Sequence, residues 1–396
     1  MKCPWTAPPC LLVACLALLS ARSSARETQR VQRVVVGRGD ALAACEGLDA
    51  SNTRRARRPF PAAPQISFRT RLAGGIGQAP ASDAHGQLIV VHAEPRLSKL
   101  DAKGRTLWSE RLPSEASSAP VLTSAGAILI VTRDGEALFY SSAGKLDAKR
   151  VLPLADPRRR SLTIPTGNGG VLVASGSDLL ELDERGAIVR QLHASGNLST
   201  IAETNAALIA VSDNGIVQRA SATGDLELVG SFGGSVPEAA AVRDGTAFAV
   251  VDGHKWCALD LTTGRVVTLS NELSLTLSGP AALLVAPAAA LVAGGGFVSL
   301  RAKDGAESAR IALNATASGF DPALRGARAA LLISDPRGAV AAVQSGNDAL
   351  VLHAGGNAVR LDDTSCLDPF RPTPTTGGIV FACRSGQLFG VSDKAP

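Results

Sequence analysis

Glycine-centred turns at Gly104, Gly144, Gly186, Gly224, Gly264, Gly305 and Gly346 recur about every forty residues. A second set, at Gly135, Gly176, Gly215, Gly253, Gly295, Gly338 and Gly386, runs in step with the first. A repeat of this length constrains the fold more than any other feature of the chain. One small unit cannot bury both of its faces, so it must pack against copies of itself. The third unit parses into "GGVLVAS", a turn, "DLLELDERG" and then "AIVRQL", and approach segments such as "SAPVL" supply a fourth short strand. Four antiparallel strands per forty residues are the signature of a β-propeller. The near-continuous apolar runs fit sheets buried on both faces. Because the chain is only 4% aromatic, that core is built from Val, Leu, Ile and Ala.

Seven complete units lie between about 76 and 355, and "GGIVFACRSGQLFGVSD" at 377–393 begins an eighth that lacks its outer strand. "QISFRTRL" at 65–72 precedes the first unit and has no partner of its own. The expected fold is therefore all-β: an eight-bladed propeller of four-stranded antiparallel blades, closed by an N-terminal strand in the last blade, which removes an open sheet edge. Seven blades result if the irregular stretch 355–376 is parsed differently. The step from Gly338 to Gly386 is longer than the others, which places an interblade insertion at 360–378 and makes it a candidate partner-contact loop.

The ends read differently from the repeats. Residues 1–25 have the anatomy of a signal peptide: Lys2, the apolar run Leu11 to Leu19, and small residues at Ser23-Ser24-Ala25. Leu12-Val13-Ala14-Cys15 also fits a lipobox, which makes Cys15 a candidate lipidation site and gives the alternative of a lipid anchor. The apolar run is too short to span a bilayer, so no transmembrane segment is expected in the mature chain. Residues 26–63, including "RRARRPFPAAP", read as a basic disordered linker. Export permits disulfides among Cys45, Cys257, Cys366 and Cys383. Cys366 and Cys383 are nearest in sequence and form the candidate disulfide, while the pairing of Cys45 and Cys257 stays open.

Little in the chain points to catalysis. The histidines His85, His92, His193, His254 and His353 are widely spaced, and none belongs to a metal-binding motif. His254 and Cys257 fall on opposite faces of a strand. The sequence has no nucleophile elbow or P-loop. A formal charge of +5 without a basic stripe argues against nucleic acid.

"KLDAKGRTLWSERL" at 99–112 resembles the repeat of the pyrroloquinoline-quinone, or quinoprotein-like, propellers, with Asp101, Ala102, Gly104 and Trp108 at the motif positions. The resemblance implies a structural docking role for these four residues and extends over 64–396 as PQQ-like repeats. Within that group the layout is most similar to the propeller lipoproteins of the outer-membrane β-barrel assembly machinery. This resemblance implies a non-catalytic, monomeric, exported propeller, periplasmic or outer-membrane-associated, that serves as a scaffold for another envelope protein or a peptide. An extracellular location is the lesser alternative. The alternative function is a small-ligand or cofactor-binding propeller derived from a quinoprotein dehydrogenase. Against it, the mature chain has only Trp108 and Trp256 for a stacking floor and no vicinal cysteines, so no cofactor is expected.

Overall fold

The computed structural model describes residues 41, 43–45 and 56–393 with interruptions, the largest at 271–281, 313–330 and 362–369. Between 270 and 360 the strands are described by their backbone alone. Blade 2, residues 121–151, shows how the sequence makes a unit. Ile128–Val131 pairs with Glu136–Tyr140 in the register Ile128↔Tyr140 to Val131↔Ala137. Every side chain from Ile128 to Val131 and from Ala137 to Tyr140 is buried, on both faces of the sheet. Burying each of the larger aliphatic side chains contributes about 1.5–3 kcal/mol. The last strand, Leu146–Val151, is largely exposed. The reversal between the middle strands is held by the Gly135 N–H donating to the Thr132 carbonyl (3.0 Å) and the Glu136 N–H donating to Thr132 Oγ1 (3.2 Å). Gly135 sits at φ +76°, a conformation that costs glycine little.

Eight such four-stranded antiparallel sheets follow one another along the described chain, and no described residue is helical. Blades 1 to 7 cover 81–111, 121–151, 162–193, 198–231, 241–270, 282–312 and 331–361, each with its strands paired in chain order. First strands of neighbouring blades contact one another around the axis, and the last strands form the outside. Blade 8 breaks the order: Thr373–Pro374, Gly378–Ala382 and Gln387–Asp393 come from the C-terminal end, and Pro64–Arg71 supplies the outer strand. The closing pair runs from Pro64↔Asp393 to Arg71↔Gln387, with a bulge between Ile66 and Phe68. Closure by an N-terminal strand is thus the arrangement observed.

Two expectations are corrected. Gly338 lies between the first and second strands of blade 7, Leu331–Ser334 and Val340–Val343, and Gly346 lies between the second and third, Val340–Val343 and Ala349–Leu352. The repeat therefore slips by one turn in this blade. The long interblade connection is 313–330, between Glu307–Ala312 and Leu331–Ser334, whereas 362–372 is ordinary in length. The stretch 360–378 is not an insertion, and its contact role loses its premise. A short glycine turn looks alike between any two strands, so composition could not fix which pair it joined.

The second correction concerns 26–63. Ala41, Ala43, Cys45, Ala56 and Phe60 are buried while Arg57, Arg58, Pro59, Ala62 and Ala63 are exposed, so the described part of the linker is solvated at its arginines and packed at its apolar residues. Arginines dominate the composition of this stretch, but the small apolar residues among them are what the propeller takes up.

Candidate functional site

The PQQ-type motif lies at the outer turn of blade 1. Asp101 Oδ1 accepts the N–H groups of Lys103 and Arg105, each at 2.9 Å, and Oδ2 accepts Arg105 Nε at 2.6 Å. Desolvation alone would raise the Asp101 pKa, but the hydrogen bonds from Arg105 and Lys103 outweigh it and hold the carboxyl below its ordinary value. Ala102 is exposed in the same turn, and Gly104 closes it at φ +76°. Asp183 builds the same turn in blade 3, and Asp260 caps a turn one residue longer in blade 5, accepting the Thr262 and Thr263 N–H groups. Trp108 reaches the next blade: its indole Nε1 donates to the Ser142 carbonyl (3.1 Å), and a Cβ on Gly144 would come within 2.8 Å of its ring.

Rings also cross two further junctions, which sequence reading missed. Gly104 of blade 1 receives the Phe68 ring of blade 8, and Gly186 of blade 3 receives the Phe139 ring of blade 2. The bare turn glycine was the readable signal; Phe68 fills it from the outer-strand position that Trp108 holds in blade 1, just past the bulge, whereas Phe139 fills it from the third strand, opposite Ala148. Phe68 also lies on Gly390 in its own blade, where a Cβ would come within 2.1 Å of the ring.

At the axis, Ala43 pairs antiparallel with Ser82 on the inner edge of blade 1: its N–H donates to the Ser82 carbonyl (3.2 Å) and its carbonyl accepts the Ser82 N–H (2.9 Å). The Leu122 N–H of blade 2 donates to the Ala44 carbonyl at 2.8 Å. Ala41 packs with the apolar cluster of blades 1 and 2, Ala43 with that of blade 8, and Cys45 with that of blades 2 and 3. So short a segment reaches four blades only where they converge, at the central channel. Beside it a cavity of about 380 Å³ is lined by Ala41, His85, Thr123 and the Asp83–Lys99 ion pair (3.0 Å), in which the Lys99 side chain is 8% exposed. Ser82 Oγ donates to the Pro374 carbonyl, joining blades 1 and 8 at the inner rim.

A second cavity, of about 570 Å³, opens where blade 8 meets blade 1, lined in part by Arg71, Glu94, Arg96 and Arg105. A polar chain, buried at His92 and Ser98 and exposed at Ser109, borders it. His92 Nδ1 meets the Ala73 carbonyl (3.1 Å), Nε2 meets Ser98 Oγ (2.8 Å), and Ser98 Oγ meets Ser109 Oγ (2.9 Å). A carbonyl only accepts, so Nδ1 carries the proton and Nε2 accepts from Ser98. Desolvation lowers the His92 pKa against the opposing hydrogen bond to Ala73, which favours the neutral ring. In blades 2 and 3 the positions of Ser98 hold Leu138 and Leu180, and those of His92 hold Thr132 and Ser175. A polar link from this position to the preceding connection recurs, as Ser175 Oγ donating to the Asp156 carbonyl in blade 3 and Ser117 Oγ donating to the Thr132 carbonyl in blade 2; blade 1 differs in extending it inward to Ser98, where its neighbours hold leucine.

Cys383 is fully buried and disulfide-bonded. Cys366, its expected partner, lies outside the described residues, as do Cys15 and the whole signal segment. Cys257 is a buried thiol whose pKa is raised by burial. Trp256 is fully buried in blade 5 near Phe248, with ring centroids 6.4 Å apart. Among the described residues no group of three or more His, Cys, Asp or Glu is placed to hold a metal ion. No helix among them is long and apolar enough to cross a membrane.

These blades, their glycine turns and the interblade rings define a β-propeller of PQQ-like repeats. Residues 49–214 match the model of the family described as outer membrane protein assembly factor BamB. Among solved structures, the chain is similar to BamB from Moraxella catarrhalis, with 16% identity over 85% of this chain and 99% of that one and a TM-score of 0.61. It is also similar to the virginiamycin B lyase of Staphylococcus aureus, at 12% identity over 83% of this chain and 99% of the lyase, with a TM-score of 0.53. The computationally designed protein Ika8 gives 13% identity, the same two coverages and a TM-score of 0.63. At these identities the likeness is one of fold. No curated protein matches the chain.

Proposed function

We propose that this chain is a non-catalytic propeller of the bacterial envelope that holds another protein during outer-membrane protein assembly. The observation that carries the reading is the match of 49–214 to the assembly-factor family, on blades of the corresponding architecture. Export through the segment 1–25 fits it, with either an ordinary cleavage or an anchor at Cys15. The position of both tryptophans supports a scaffold over a quinone enzyme. Trp256 is enclosed in a blade and Trp108 is docked on Gly144, so neither offers a free ring face at the channel as a cofactor floor. Ala43 and Ala44 occupy the inner edges of blades 1 and 2 through main-chain hydrogen bonds to Ser82 and Leu122.

The test is to tag the chain in its own cells, crosslink the envelope and fractionate the membranes. Co-purification with a β-barrel assembly component in the outer-membrane fraction is the expected result. A chain found only outside the envelope, with no such component crosslinked, refutes the proposal. Stoichiometric binding of a pyrroloquinoline quinone, followed by dye reduction, would favour the dehydrogenase-derived alternative.

A further inference from the structure

The inner edge of a propeller blade is an unpaired strand edge facing the axis. In blades 1 and 2 the inner strands are only two residues long, Ala81–Ser82 and Val121–Leu122, and all four residues are buried. The Ser82 and Leu122 N–H groups would be buried donors without acceptors if their sheets were all they had. Such donors are rarely left orphaned. The Ala43 and Ala44 carbonyls supply the acceptors, and the Ala43 N–H returns a bond to the Ser82 carbonyl. This is strand addition, in which main-chain pairing holds an extended segment and the surrounding space selects its side chains. That space is narrow: Ala41, Ala43 and Cys45 are 7%, 0% and 1% exposed, with apolar clusters of four blades around them. Larger side chains at these positions would have to displace packed core residues.

We infer that the inner edges of blades 1 and 2 form a docking slot for an extended segment of small side chains, and that Ala41 and Ala43–Cys45 are its intramolecular occupant, a plug that closes this side of the central channel. The slot recognises backbone and small size rather than charge, so an unfolded segment with the same pattern competes with the plug for it. The inference is independent of the assembly role and holds or fails without it.

The test uses the full chain and its Ala43→Pro variant, in which residue 43 no longer has an N–H to donate. Hydrogen exchange at the Ser82 and Leu122 amides is expected to be about a hundredfold faster in the variant, because local opening replaces a paired edge. A synthetic peptide of residues 39–47 with Ser in place of Cys45 is expected to restore protection in A43P and to leave the wild type unchanged. Equal exchange at both amides in wild type and variant overturns the plug, and a peptide without effect on A43P overturns the slot. Should A43P fail to fold, a protease site placed within 46–55 and cut after folding replaces it. Exchange of the cut segment with excess labelled peptide then supports the inference. A cut chain that neither exchanges its segment nor rebinds the peptide overturns it.

Discussion

Blade 2 and blade 8 have the same four-stranded design but are assembled in different ways. Blade 2 is one stretch, 121–151, in which every strand pairs with its neighbour in sequence through a short turn. Blade 8 joins the two ends of the propeller, and the Ala63 N–H meets Asp393 Oδ1 at 2.9 Å across 330 residues. The entropy of closing so long a loop grows only slowly with its length, by about 0.6 kcal/mol per doubling, so the cost is bearable if the closing contacts are good. Blade 8 has such contacts: a nearly full strand pairing, the Phe68 ring on Gly390 and Gly104, the stacked Phe381 and Phe389 rings at 5.1 Å, and the His92 link to Ala73. Where local turns cannot hold a blade together, specific side chains do so.

The comparison breaks most severely if the closing strand is removed. Deleting 64–71 leaves the edge of Gln387–Asp393 unpaired beside buried Leu388, Phe389 and Val391. Loss of cooperative unfolding and aggregation on size-exclusion chromatography are expected. A soluble, cooperatively folding deletion mutant would show that blade 8 closes without this strand.

Cys383 tests whether the closing blade also relies on a covalent tie. Cys383→Ser is expected to cost about 2–4 kcal/mol in denaturant unfolding under oxidising conditions. Peptide mapping of unreduced protein is expected to find Cys366 as the partner. A different partner would redirect the tie to another part of the chain.

The junction rings come next. Phe68→Ala, at the closure, is expected to destabilise by about 2–3 kcal/mol, the lower part of the range for aromatic truncation because the ring is only partly buried. Trp108→Ala, between two contiguous blades, should cost no more than Phe68→Ala. Urea midpoints that place Trp108 well above Phe68 would make the closure no more dependent on its ring than an ordinary junction.

A smaller contrast separates ring docking from backbone conformation. Gly126 and Gly144 have φ of +80° and +85°, but a Cβ on Gly126 meets nothing whereas one on Gly144 meets the Trp108 ring. Gly126→Ala is expected to cost about 1 kcal/mol for the conformation alone. Gly144→Ala should cost about 1–2 kcal/mol more because the ring must move. Equal costs would mean that Trp108 yields freely.

The smallest effect belongs to His92. Its folded pKa lies below the unfolded value of 6.5, so the unfolded chain binds the extra proton first. The stability it contributes is complete above 6.5 and is lost as pH falls through the lowered folded value. Wild type should therefore lose more stability than His92→Gln between pH 7.5 and pH 5. Parallel losses would remove the neutral imidazole from the closure.

Much of this was readable from residues. The spacing of Gly104, Gly144 and Gly186 gave the unit, runs such as Ile128–Val131 gave its buried strands, and the orphan "QISFRTRL" gave the closure. Trp108 was legible as a docking residue because its motif is complete; Phe68 holds the same outer-strand position but lacks the Asp-Ala-x-Gly turn before it, and Phe139 reaches its glycine from the third strand. The His92, Ser98 and Ser109 chain was hidden because its members are neighbours across strands rather than along them.

By itself, then, the sequence determined the local rules: which stretches are strands, where glycine permits a reversal, and that copies of one unit must pack together. Those follow from periodicity and backbone sterics, which act over a few residues. Only the tertiary structure decided that Gly338 falls between the first two strands of blade 7, that an arginine-rich leader places Ala43 against Ser82 at the axis, and that His92 links blade 1 to the Ala73 carbonyl just past the closing strand. Each of these is settled by which surfaces meet at long range, and a period of two along a strand tells which face is buried without telling what covers it.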